Sequence, residues 1–159
     1  MLKFPLAHYP LSTRPTAAEE NDNLISFDVT FEAADNQILL KMVDRDDPEL
    51  DYIAVRKDTR VEIKLLGEQI YFSKDYDGIT TKIALNEFYG SLCYGDFDER
   101  FERYKSLSFV ARFNKGGQRG TVHPFNINID LLQEDGAKKP RWIALSIDPD
   151  IKNPPPRRL

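Results

Sequence analysis

The amino-acid sequence predicts an all-β domain, a mainly antiparallel sandwich of two sheets with seven or eight strands and at most one short helix. Three observations lead there. Apolar residues recur at every second position in segment after segment, as in Ile25, Phe27, Val29 and Phe31. That is the period of an extended chain with one face buried. No strand–helix–strand rhythm demands a parallel sheet, so two sheets that cover each other's apolar faces are the economical solution. Finally, the 159 residues include one cysteine, Cys93, so internal disulfides are excluded and an apolar core must hold the domain.

The elements follow in order. Pro5, Pro10 and Pro15 keep residues 1–23 from being helical and predict an extended arm, because each proline fixes its own φ and biases the residue before it. Strands are expected from Leu24 to Glu32 and from Ile38 to Val43, joined through residues 33–36. Val61, Ile63 and Leu65 form another strand, separated by Gly67-Glu68 from Gln69-Ile70-Tyr71-Phe72. A glycine at the first central position suits a type II′ turn, so these two runs are expected to pair as a hairpin. Ile79 to Leu85 is a less regular strand. Asp96-Phe97-Asp98-Glu99 places a carboxylate three residues before a glutamate, and Phe97, Phe101 and Tyr104 recur at helical spacing, which predicts the short helix there. Strands over 108–113, 125–131 and 142–148 complete the set, with Asp148-Pro149 stopping the last ladder and residues 150–159 forming a proline-rich tail. The domain proper therefore spans 24–149.

Composition narrows the function classes. Lysine and arginine number 22 against 26 aspartates and glutamates, a formal charge of -4. Such a balance argues against a chain whose whole surface tracks nucleic acid, and Lys138-Lys139-Pro140-Arg141 and Pro154-Pro155-Pro156-Arg157-Arg158 are short basic elements without interleaved aromatic residues. No apolar run approaches the roughly 18 residues that span a bilayer, and the arm lacks the apolar stretch of a secretory signal. The expectation is a cytoplasmic protein that uses neither membrane nor nucleic acid.

Two loops carry candidate chemistry. Asp44, Asp46, Glu49 and Asp51 fall within eight residues, and a hard cation such as calcium takes several oxygen ligands of this kind. The spacing departs from the EF-hand pattern and Arg45 sits inside the cluster, so a solvated charged connection is the preferred explanation of the run. Calcium is the one cofactor the sequence entertains. Between two expected strands, Lys115 and Arg119 lie among Gly116, Gly117 and Gly120, with His123 just beyond. Consecutive backbone N–H groups beside cations hold anions, although a flexible hairpin loop accounts for the same glycines.

Other chemistry is poorly supplied. Cys93 and His123 suggest a copper centre, but the second histidine, His8, lies in the arm, which would have to fold back to close the site. No Gly-x-Ser-x-Gly turn or HExxH motif is present. Tyr71, Phe72, Tyr76, Phe88, Tyr89, Tyr94, Phe97, Phe101 and Tyr104 concentrate in the middle third, as residues filling a core or lining a cavity or intersubunit patch.

The segment Trp142 to Pro154, with Asp148-Pro149, Ile151 and Asn153-Pro154, resembles the Asp-Pro-x-Ile-x-Asn-Pro ending of the bacterial DP-EP family. The resemblance implies an immunoglobulin-like sandwich of bacterial type and transfers no functional residue. Taken together, the sequence points first to a non-enzymatic β-sandwich that binds a protein partner or self-associates as a homo-oligomer. Open sandwiches have edge strands that a second copy can cover. Its alternatives are a small enzyme or ligand-binding protein for a phosphorylated or anionic metabolite, using Lys115, Arg119 and His123, and a calcium-modulated module using the acidic loop.

Overall fold

A computed structural model describes residues 10–11, 24–34, 37–47, 53–54, 59–82, 89–111, 122–133, 140–147 and 150–152. Eleven strands and no helix occur among them: β1 (Leu24–Ala34), β2 (Gln37–Asp44), β3 (Ile53–Ala54), β4 (Thr59–Leu65), β5 (Ile70–Phe72), β6 (Ile79–Thr81), β7 (Tyr89–Asp98), β8 (Arg103–Ala111), β9 (Val122–Gln133), β10 (Arg141–Ile147) and β11 (Asp150–Lys152). They build two sheets, as the period-two pattern requires. The first has the order β2-β1-β4-β8-β7. Most pairings are antiparallel, but β1 with β4 and β11 with β3 are parallel.

The second sheet is organised around β9. Ile127 pairs with Ile147 of β10 and also with Ile79 of β6, so those two strands lie on opposite edges of β9. Ile129 pairs with both Leu145 and Phe72, which puts β5 on the β6 edge. Asp150 pairs with Pro124 in the register already set by Ile147 and Ile127, so β11 continues β10 beyond residues 148–149. The ladder expected to stop at Asp148-Pro149 is taken up again at once, and the first residues of the expected tail belong to the sheet.

The core lies between the sheets. Phe27, Val29, Val61, Ile63, Leu107 and Phe109 face Ile70, Phe72, Ile79, Phe125, Ile127 and Ile129, all buried. In β4 the alternation of buried and half-buried residues is complete over seven positions. Leu11 joins this core at 7% exposure.

Two local expectations are corrected. The residues on either side of Gly67 do not pair: β4 lies between β1 and β8 in the first sheet, whereas β5 pairs with β9 in the second. Gly67 does have the positive φ, +95°, that its turn reading required, but the turn carries the chain across the sandwich. Local turn chemistry specifies a reversal and leaves the partner open. Lys105 holds this crossing, with Nζ donating to the carbonyls of Gly67 and, at 2.8 Å, Ile70.

The expected helix over 96–104 is the tip of the β7–β8 hairpin, Asp98 pairing with Arg103. Asp98 Oδ1 accepts the N–H groups of Arg100 (2.9 Å) and Phe101 (3.3 Å), as a helix cap would. Glu102 then enters the left-handed region at φ 53°, and the chain turns back. Cap chemistry and Asx-turn chemistry share their first two hydrogen bonds, but here they are made by Asp98, two residues after the cap position the spacing to Glu99 suggested.

Candidate functional site

The tip of the β7–β8 hairpin packs against the second sheet. Its attachment is polar and aromatic. Arg103 Nε donates to Asp130 Oδ2 on β9 at 2.8 Å, with both side chains nearly buried, and Nη1 donates to the Phe101 carbonyl at 3.0 Å. The guanidinium lies 3.7 Å from the centre of the Trp142 ring on β10. Phe101, Trp142 and Tyr71 meet edge to face in a trio, with ring centres 5.5 to 5.6 Å apart. Tyr71 completes the attachment by donating its hydroxyl to Asp98 Oδ2 at 3.2 Å. Burial, with the Asp98 charge second, pushes the Tyr71 phenol above its ordinary range.

Opposite the hairpin, the chain between β5 and β6 makes a short loop along the edge of β9. Ser73 Oγ accepts the N–H groups of Asp75 and Tyr76 at 3.2 and 3.1 Å. Lys74 N–H donates to Asp130 Oδ2, and Asn128 Nδ2 donates to the Asp77 carbonyl. Gly78 closes the loop. A Cβ there would come within 2.7 Å of Leu107 and Phe72, and its N–H donates to the Tyr94 hydroxyl at 2.7 Å. Both walls are therefore fixed to β9 through Asp130, which accepts from the Lys74 backbone and from Arg103 together. Asn126, Asn128 and Asp130, the polar side of an alternating strand, are buried for this reason. They bond to Thr80, Ser146, the loop and the hairpin instead of to solvent.

Between loop and hairpin runs a cleft of about 320 Å³, lined by Phe72, Ser73, Lys74, Tyr76, Asp77, Tyr94, Glu102, Arg103 and Tyr104. Its floor is aromatic. Tyr94 meets Phe72 edge to face at 6.3 Å and Tyr104 at 5.0 Å with a tilt of 31°; Tyr104 in turn meets the half-exposed Phe97 at 4.9 Å. Burial pushes the Tyr94 phenol up to about 12, so it is neutral under ordinary conditions and serves as a hydrogen-bond partner, not a base. The rim is charged. Lys74 Nζ and Glu102 Oε2 form an ion pair at 3.1 Å across the mouth, and both side chains are exposed. Arg103 and Asp77 also line it. The arrangement offers a flat apolar surface for a ring and cations beside it for an anionic group.

Phe72, Tyr76, Tyr94 and Tyr104, from the aromatic-rich middle third, line the cleft, whereas the anion-binding and acidic-loop candidates among the described residues do not. Lys115 and Arg119 fall outside the described residues, and His123 sits on β9 opposite Ile151. Seven residues separate His123 from Asp130, which at strand rise is roughly 23 Å. His123 is thus at the far end of β9 from the cleft. Of the acidic loop, Glu49 and Asp51 fall outside the described residues. Asp44 Oδ1 accepts the Asp46 N–H at 2.8 Å, and Arg45 pairs with Asp28. Asp44 lies in one row with Phe27, Ile63, Leu107 and Tyr94, which spans the first sheet from edge to edge. Four interstrand steps, about 19 Å, separate it from the cleft. Among the described residues no group of three or more His, Cys, Asp or Glu is placed to hold a metal ion.

The sequence reading did not pick out Lys74, Asp77, Glu102 or Arg103. A signal for the loop existed, since Ser73-Lys74-Asp75-Tyr76-Asp77-Gly78 is a polar run ending in glycine between two triplets of aromatic and β-branched residues, Ile70-Tyr71-Phe72 and Ile79-Thr80-Thr81. Glu102 and Arg103 were hidden by the helix reading.

A family described as pNTSase1, a predicted novel nucleotide synthetase, matches residues 1–156. The chain belongs to the pNTSase1 family. No curated protein matches it. The pNTSase1 match includes the arm and most of the tail, and it corrects the leading functional expectation. A family described as a nucleotide synthetase points to an enzyme-like function related to nucleotides, not to a non-enzymatic module for partner binding or self-association. The lining of the cleft comes from three separate stretches of chain, residues 72–77, 94 and 102–104, and forms no linear motif that the sequence alone displays. Among the described residues no helix of this pNTSase1 chain is long and apolar enough to cross a membrane.

Proposed function

We propose that this chain is an enzyme of nucleotide metabolism and that it binds a nucleoside phosphate in the cleft between the β5–β6 loop and the β7–β8 hairpin. One observation carries the assignment to this place: the Tyr104 ring, 38% exposed, lies beside Tyr94 on a floor flanked by Lys74 and Arg103. A nucleotide needs the same two features, a face for its base and cations for its phosphates. The base lies on Tyr104, and the phosphates are directed toward Lys74 and Arg103. Of the two cations, Lys74 is the adaptable one, because its partner Glu102 is exposed, whereas Arg103 is anchored by Asp130 and Trp142.

The chemistry that fits is group transfer at a phosphate. There, positioning and electrostatic stabilisation carry most of the catalysis and no protein nucleophile is needed. Ser73, the aliphatic hydroxyl in the lining, already accepts two backbone N–H groups, and neither Cys nor His appears in the lining. The reading agrees with the family description and with the alternative the sequence offered, a small enzyme for a phosphorylated or anionic metabolite, at a different address.

Titration calorimetry with ATP, GTP, CTP and UTP tests it. Binding is expected, with Tyr104→Ala weakening it about tenfold through lost stacking and Lys74→Ala weakening it in a salt-dependent way. Absence of heat at millimolar nucleotide, or unchanged affinity in Tyr104→Ala, would overturn the proposal.

A further inference from the structure

The ion pair across the cleft mouth assigns a second role to the hairpin. We infer that Glu102 is a competing anion: its carboxylate occupies the position on Lys74 that a ligand phosphate must take, and so limits how tightly the cleft holds phosphorylated ligands. This inference rests on the nucleotide reading of the cleft and deepens it. Three observations carry it. Glu102 and Lys74 both line the cleft from opposite walls, and Glu102 Oε2 stands 3.1 Å from Lys74 Nζ. The walls themselves are fixed, the loop by Asn128 and Asp130 and the hairpin by Arg103 and Asp98, so the long side chains are the parts that can exchange partners. Glu102 also holds a backbone conformation, φ 53°, that glutamate adopts at a cost and asparagine or aspartate adopts readily.

The pair is exposed at both ends, at 51% for Lys74 and 71% for Glu102, so its strength is modest and an incoming phosphate can displace it. Once displaced, Glu102 still sits at the mouth, and its charge opposes the ligand in proportion to the ligand's own. Removing the carboxylate therefore helps a polyphosphate more than a monoanion and leaves an uncharged nucleoside unaffected. A site tuned in this way stays clear of inorganic phosphate and releases an anionic product.

The test compares Glu102→Asn, which suits the left-handed turn and lacks the charge, with Glu102→Asp, which suits the turn and keeps it. Adenosine, cyclic AMP, AMP and ATP are titrated into each and into the wild-type protein. Glu102→Asn is expected to bind ATP about two- to fivefold more tightly, from the range for an exposed pair. The gain should shrink from ATP to AMP to cyclic AMP and vanish for adenosine, and Glu102→Asp should stay within about twofold of wild type on the same scale. Wild-type binding of ATP with no gain in Glu102→Asn, or with a loss, overturns the role of Glu102 and leaves the nucleotide site standing. If neither wild type nor Glu102→Asn binds any of the phosphorylated ligands, both readings fall.

Discussion

At the scale of single residues, Tyr94 joins core and cleft. Its ring packs on Phe72 and Tyr104 while its hydroxyl accepts the N–H of Gly78, a residue with no room for a side chain. Burial raises its phenol from 10.0 in the free side chain to about 12. The neutral form is thus the one the folded state favours. Its contribution to stability is complete below the unfolded value near 10 and is lost as pH rises through about 12. Denaturation midpoints measured across that window should fall with pH, and the fall should be shallower in Tyr94→Phe. An equal slope in the two proteins would show that Tyr94 is not the group responsible. The sequence placed Tyr94 in an aromatic-rich third without distinguishing core from cavity, because the difference depends on which strand faces it.

At the scale of elements, the β7–β8 hairpin and the β5–β6 loop are held in relation by one carboxylate, Asp130. It is 5% exposed and receives both Arg103 and the Lys74 backbone. Breaking a buried ion pair by removing one member costs about 3–5 kcal/mol, while an apolar replacement of both is often neutral. Urea unfolding should therefore show Asp130→Leu strongly destabilised. Asp130→Leu with Arg103→Met should recover a large part of that loss, although the Lys74 N–H remains without this partner. Additive losses would mean the two residues act independently. The same hairpin shows where local sequence signals stop. Cap-like hydrogen bonds are made by Asp98 and not by Asp96, the residue whose spacing to Glu99 suggested a cap, and whether a turn continues as helix or folds back is settled by what the next residues pack against. Here Phe101 finds Tyr71 and Trp142, residues 30 and 41 positions away in the chain.

At the scale of the whole molecule, residues far apart in sequence close the core. Leu11 of the arm lies in the same cluster as Val29 and Ile127. Leu11→Ala is expected to cost about 2–5 kcal/mol, as for other buried leucines, measured as a shift in urea midpoint with unchanged slope. A change within experimental error would mean that the arm only rests on the domain. Parallel pairing of β1 with β4 and the crossing at Gly67 also belong to this scale, because both set strand neighbours across the sandwich and neither has a signature in the residues that turn.

Alternation of apolar and polar residues was sufficient to determine that this chain forms two covered sheets, since burying one face of each strand is a property of short segments taken singly. Which strands neighbour one another, which polar side chains are buried with partners, and where loop and hairpin meet to leave a cleft were decided only by the tertiary structure. Those outcomes depend on pairings between distant segments, and a pairing energy belongs to both partners while a sequence pattern shows each alone.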